Sequence, residues 1–239
     1  MIKEITKKIL FHPVRYILTI LKNNCLPETK NSVINWYERD QFEKSYNTFK
    51  KFFPKSCLFT GNKKKLHKFI IEKTKENDKD NNKFNLEFGV FKGDSIKFFS
   101  KFVNKIYGFD SFEGIKENWV GTQTLKGSMS VKKKLPQINS NVVLIKGWVQ
   151  DSLPSFLQEY NPSINFVHMD LDPYESTKFV LEKIKPYLSK KSIILFDELY
   201  NYPGWEEGEY KALNEVFQED EYDFICFQID SHQAAIQLK

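Results

Sequence analysis

From Phe84 to the end of the chain, short apolar runs alternate with segments of helix length, the pattern of an α/β sheet. The runs predict strands at 84–89, 105–109, 142–146, 164–169 and 192–196, with helices at 94–103, 152–160, 174–188 and 206–218. Two late runs, 222–229 and 232–238, lie a few residues apart and predict an antiparallel hairpin at the sheet edge. Before Phe84 the text is different. It is rich in Lys and Asn, has helical apolar spacing in 33–53 and 62–73, and ends in a polar tract at 74–83 that reads as a solvated loop. The expected division is therefore a helical N-terminal extension, 1–83, and a sheet domain, 84–239.

The extension opens with Lys3, Lys7 and Lys8 ahead of an apolar stretch, Ile9 to Leu21. Pro13 and Arg15 interrupt it and no small-residue cleavage site follows, so it does not read as a secretory signal. It is shorter than the ~20 apolar residues of a membrane span. Packing on the domain or on a second subunit is expected, ahead of contact with a membrane surface. A homo-oligomer formed through the N-terminal helices is compatible with that reading.

Composition changes this picture little. With 41% hydrophobic and 28% charged residues in 239, the chain can bury a sizeable core. A net charge of +5 is too mild to argue for nucleic acid. Cys25, Cys57 and Cys226 are scattered, with neither zinc spacing nor a disulfide framework, which fits a reducing, cytoplasmic setting.

In open α/β sheets ligands bind beyond the carboxyl ends of the strands, so the residues after each predicted strand carry the chemistry. After the first come Glu87, Gly89, Gly93, Asp94 and Ser95: a glycine turn, but neither G-x-G-x-x-G nor a phosphate-binding loop. After the second comes Asp110, placed to accept hydrogen bonds from a ribose diol, followed by Ser111 and Phe112. After the third, Gly147 and Trp148 can wall a flat heterocycle, with Asp151 close by. After the fourth and fifth come His168, Asp170, Asp172, Asp197 and Glu198. Carboxylates converging in one cleft repel and desolvate at high cost, and a hard divalent cation resolves the conflict. His168 reads either as a hydrogen-bonded structural histidine or as a base.

The strings LEFGVFKGDS, GFDSFEG, KGWVQDSLP, HMDLDPYEST and FDELYNYPGWEEGEYKA, in this order over 84–239, resemble the class I S-adenosylmethionine-dependent methyltransferases, and within them the macrocin O-methyltransferase-like family. The resemblance implies a Rossmann-like fold with a mostly parallel seven-stranded sheet whose last strand is antiparallel. It implies S-adenosylmethionine held by Glu87, Gly89, Gly93, Ser95, Asp110, Ser111, Phe112, Gly147, Trp148 and Asp151. It also implies Mg2+ held by Asp170, Asp197 and Glu198, with Asp170, His168 and Asp172 as catalytic residues. Pro173 departs from the Leu or Met common in that family. The acceptor implied is a hydroxylated small molecule, sugar-containing, rather than a nucleic acid.

Methyl transfer from a sulfonium is an in-line displacement that mostly needs alignment. A cation lowers the pKa of the acceptor hydroxyl, and a base, His168 or Asp172, would assist. The segment Glu113–Gln137, with Gly114, Gly121, Gly127 and Trp119, reads as a flap over the site, and residues 201–207 as an acceptor wall. Two other readings stand beside this one: a catalytically silent binding module on the same fold, and a nicotinamide-dependent oxidoreductase, which the missing G-x-G-x-x-G disfavours.

Overall fold

In a computed structural model the chain is described over residues 33–132 and 134–239. Two compact units are formed, residues 1–40 and Gln41–Lys239. Of the first, the described part is the opening of helix α1 (Val33–Phe49), so the expected basic helix at 3–21 lies outside the described residues. Among the described residues no helix is long and apolar enough to cross a membrane.

The second unit is built on one mixed sheet of eight strands: β1 (Cys57–Phe59), β2 (Phe84–Phe88), β3 (Ile106–Asp110), β4 (Val142–Lys146), β5 (Ile164–Met169), β6 (Leu188–Phe196), β7 (Tyr222–Gln228) and β8 (Ala234–Leu238). Their order is β1-β7-β8-β6-β5-β2-β3-β4. All pairings are parallel except those of β8, which runs antiparallel to both β6 and β7. The helices are α2 (Lys64–Asn77), α3 (Asp94–Phe99), α4 (Val149–Tyr160), α5 (Tyr174–Ile184) and α6 (Glu209–Val216).

This is the Rossmann-like sheet expected, with an eighth strand added. Three residues before α2 pair in parallel with β7, Cys57 opposite Cys226, so the late hairpin is not the edge of the sheet. The physical reason is that β7 still has an unpaired side, which an extended segment of the same chain satisfies. β1 and α2, which precede residue 84, lie in the same compact unit as the rest of the sheet.

Strand alternation sorts the core into two layers. Leu86, Phe88, Val167, Met169, Ile194 and Phe196 point to the face covered by α4, α5 and α6. Phe166, Ile193 and Leu195 point to the other, where Leu66, Ile70 and Ile71 of α2 and Ile96 and Phe99 of α3 pack on them. Among the polar side chains buried on this second face are Glu87 and His168, which the register places directly opposite each other on β2 and β5.

Candidate active site

The strand order reverses between β2 and β5, and there the backbone ladder continues past the strand ends. Gly89 N donates to Phe109 O at 2.9 Å, Asp170 N to Phe88 O at 2.9 Å, Gly147 N to Asp110 O at 3.0 Å and Asp197 N to Met169 O at 3.0 Å. These bonds bring five post-strand loops around one cavity of about 260 Å³. Gly89 has φ +88°, and a Cβ there would fall 1.7 Å from the carbonyl oxygen of Asp170, so no other residue fits between β2 and β5.

One end of the cavity is lined by Asp110, Ser111, Gly147, Trp148 and Val149. Asp110 also holds the loop together. Its Oδ2 accepts from Val90 N at 2.8 Å and Phe91 N at 2.7 Å, and its Oδ1 from Phe112 N at 2.6 Å. A carboxylate has about four acceptor directions, so the backbone fills most of them. Lys116 lies over the Trp148 ring, 5.4 Å from its centre.

The other end is acidic. Asp170, Asp172 and Glu198 bring one carboxylate oxygen each to within 4.8 Å of one another. Burial and the charge of Asp197 raise the carboxyls of Asp170 and Glu198 well above the ordinary range, and push Asp172 up to about 7. Asp172 reaches this group through a left-handed backbone, φ +63°, after the end of β5. Glu209 of α6 is fully buried behind them: its Oε2 accepts from Glu198 N at 3.0 Å, while its Oε1 and Glu198 Oε2 have no hydrogen-bond partner.

The expected ligand set was Asp170, Asp197 and Glu198. All three line the cavity, yet Asp172 takes the place in the close group expected for Asp197. Asp197 Oδ1 is drawn to the opposite side, toward His168 Nε2 at 3.3 Å, Lys63 Nζ at 3.8 Å and the amide of Gln233. Against the cost of burial, His168 and Lys63 hold the Asp197 carboxyl below its usual range.

His168 is wholly buried, with Nδ1 3.2 Å from Glu87 Oε2. Burial opposes its charge, but hydrogen bonds to Asp197 and Glu87 outweigh it and hold the imidazole up at about 10. With both nitrogens engaged, it cannot touch an acceptor. Glu87 is buried too, its carboxyl raised by desolvation despite His168 and the hydroxyl of Ser95, which donates at 2.9 Å. It supports the glycine turn from behind.

Gly93 caps α3 with φ +79° and Phe112 is buried, so neither lines the cavity; nor does Asp151, exposed on the first turn of α4. Ser95 faces a neighbouring hollow of about 410 Å³ shared with Lys63, Lys64, His67 and Lys92, which meets the cavity at Phe91 and Asp170. The flap folds over the acidic end. Gly121 packs against Gly204 so closely that a Cβ would lie 2.5 Å from the Gly204 Cα, and Trp119 meets Tyr202 with ring centres 5.8 Å apart. In the expected acceptor wall, Trp205 is core instead, packed on Phe49 and Tyr210.

Lys63, His67, Glu209 and Gln233 were not anticipated. His67 sits three and four residues before Ile70 and Ile71 on the buried stripe of α2, a signal that it faces the sheet. Gln233 lies in the turn before β8 and carries no sequence signal.

Residues 86–199 match the profile of a family described as a methyltransferase domain. No curated protein matches the chain. Among solved structures, the calicheamicin methyltransferase CalS11 is similar, with 23% identity, 93% of this chain and 90% of that one covered, and a TM-score of 0.62. The O-methyltransferase NovP is similar at 19% identity, 73% and 80% coverage and a TM-score of 0.51. An O-methyltransferase from Bacillus cereus in complex with SAH follows at 11%, 92% and 96%, and 0.50. What this chain shares with them is the Rossmann-like class I methyltransferase fold, and within it residues 86–199 match a methyltransferase domain.

Proposed function

We propose that this chain is an S-adenosylmethionine-dependent O-methyltransferase, assisted by a divalent cation, that methylates a hydroxyl of a sugar or glycosylated small molecule. The observation that carries the reading is the single cavity whose walls include both Gly89, Asp110 and Trp148 and the acids Asp170, Asp172 and Glu198. The related structures support the acceptor class: one form of CalS11 is described as a TDP-rhamnose 3'-O-methyltransferase.

In this reading Asp110 and Trp148 hold the nucleoside end of the donor, and Gly89 lets its methionine end pass close to the backbone. The chain's task is then alignment, because the sulfonium is already a good leaving group. Asp170 and Glu198 would hold the cation, which suits two carboxylates and open positions for water and substrate. That cation, Mg2+ by its preference for such ligands, would supply a lowered pKa to the acceptor hydroxyl. The orphaned Glu198 Oε2 and the mutual repulsion of the group fit a missing positive charge.

Asp172, on the cavity wall beside Asp170 and Glu198, is placed to take the acceptor's proton. The acceptor oxygen forms its bond to the methyl carbon as the carbon–sulfur bond breaks. The sulfur leaves with the electron pair as a neutral thioether, and the proton goes to Asp172. His168 acts from behind, holding Asp197 away from the acids.

The test is methyl transfer to a panel of hydroxylated sugars, followed by mass. Asp172→Asn is expected to lower turnover by ~10²–10⁴-fold while leaving donor affinity intact. Chelator is expected to remove activity and magnesium to restore it. Equal activity in excess chelator would defeat the cation, and failure to bind S-adenosylmethionine would defeat the whole reading.

A further inference from the structure

Behind the acidic group, on the α2 face of the sheet, lies a second cluster of different chemistry. His67, His168 and Asp197 bring one ligand atom each to within 4.8 Å of one another. We propose that these three, with the amide of Gln233, form a second cation site that takes a first-row transition ion of the zinc class, His168 giving up its Nε2 proton to solvent as the ion binds.

Four observations carry it. First, two side chains are left unanswered there. His67 and Gln233 are 2% and 1% exposed, and His67 Nε2 and Gln233 Oε1 have no hydrogen-bond partner. The bridge from His168 to the two carboxylates engages neither atom; the two side chains lie near enough to act on each other, and a cation held between them would answer both.

Second, the spacing suits ligands on one ion. His168 Nε2 and Asp197 Oδ1 are 3.3 Å apart, longer than the usual hydrogen bond. Two ligands at ~2.0–2.1 Å on a tetrahedral ion stand about 3.3 Å from each other. The His67 and His168 rings are inclined at 64° with centres 5.9 Å apart, so neither stacks on the other and both edges can turn to a common point.

Third, the outer support is already in place. A ligating histidine is normally oriented by a carboxylate on its other nitrogen. Glu87 stands at His168 Nδ1, 3.2 Å away, and is itself fixed by Ser95.

Fourth, the donor types separate the two sites. The group at Asp170, Asp172 and Glu198 offers oxygen alone and suits a hard ion, while two imidazoles and one carboxylate suit zinc and its neighbours. The site would fasten α2, which precedes the residues matched to the methyltransferase domain, to the ends of β5 and β6. It would also fix Asp197 away from the acidic group. The inference is independent of methyl transfer and is read without it.

The experiment is a titration of the metal-free full chain with Co2+, followed by visible absorption. One equivalent is expected to give the intense bands of a four-coordinate ion, unchanged by a large excess of magnesium and displaced by Zn2+. Asp172→Asn is expected to keep the bands. His67→Gln is expected to weaken Zn2+ by more than the ~10–100-fold that loss of an outer partner costs. So that the result does not depend on a variant's folding, side-chain 15N spectra of the unaltered protein are recorded with Zn2+. Two of its four histidines, assigned to 67 and 168, should move to metal-bound positions. Absence of bands, bands abolished by magnesium, or histidine resonances that stay in place would each overturn the site.

Discussion

At the scale of single residues, the cavity is organised by charges that have been taken out of water and set against each other. Asp170, Asp172, Glu198 and Glu209 all have carboxyls raised, chiefly by burial, so the folded chain holds protons that the unfolded chain has released. Stability therefore falls as pH rises from the ordinary carboxylate range through about 7. His168 adds in the same direction: its raised pKa stabilises fully below its ordinary value, and that contribution is lost as pH climbs toward about 10. Asp197 works the other way, contributing above the ordinary carboxylate range and losing that contribution only in strong acid. The imidazoles of His67 and His232, lowered by burial, also add stability as pH rises toward their ordinary value, against the larger number of raised carboxyls. The metal-free protein is expected to melt at progressively lower temperature between pH ~5 and ~8, and magnesium to offset the fall. A melting temperature that climbs over this interval without metal would contradict the arrangement.

Asp110 shows a residue with two tasks. Asp110→Ala removes the acceptor for three backbone amides, each costing about 1–3 kcal/mol if left unpaired, as well as the contact proposed above for the donor. Denaturant unfolding and donor titration on the same variant should therefore both worsen. Weaker donor binding at unchanged stability would show that the amides find other partners. The acid after the second strand was legible in the sequence. That the backbone uses most of its capacity was not, because sequence spacing does not say which amides a loop turns inward.

At the scale of elements, the order of strands and helices from Phe84 onward follows the hydrophobic pattern closely. Long buried runs such as Ile164–Met169 have no other stable use than a central strand. The short strand Cys57–Phe59 could not be read this way: three residues carry no period, and their pairing is fixed by the free side of β7. The chemistry divided along the same line. Acids directly after strands were visible because strand ends are predictable. Gln233 and His67 were not, because each reaches the cluster through the packing of a separate element. The carboxyl half of α1 is a further example. Its Phe49 is wholly buried among Tyr200, Trp205, Tyr210, Phe224 and Phe227. Phe49→Ala is expected to cost about 3–5 kcal/mol in chemical denaturation. A loss below 1 kcal/mol would mean that this helix is not part of the core.

At the scale of the whole molecule, one sheet presents two polar clusters back to back at its carboxyl edge. The first opens into the cavity and is all oxygen; the second lies beneath α2, with His67 on the wall of the neighbouring hollow, and contains imidazole. Asp197 stands between them, held on the side of the second by His168, Gln233 and Lys63. In the proposed function, donor and acidic group share one hollow. The most direct test is a crystal structure of the full chain with S-adenosylhomocysteine and magnesium. The adenosine should lie against Asp110 and Trp148, with the sulfur directed at an ion bound by Asp170 and Glu198. A ligand seated elsewhere, or an ion remote from the sulfur with those carboxylates unengaged, would contradict it.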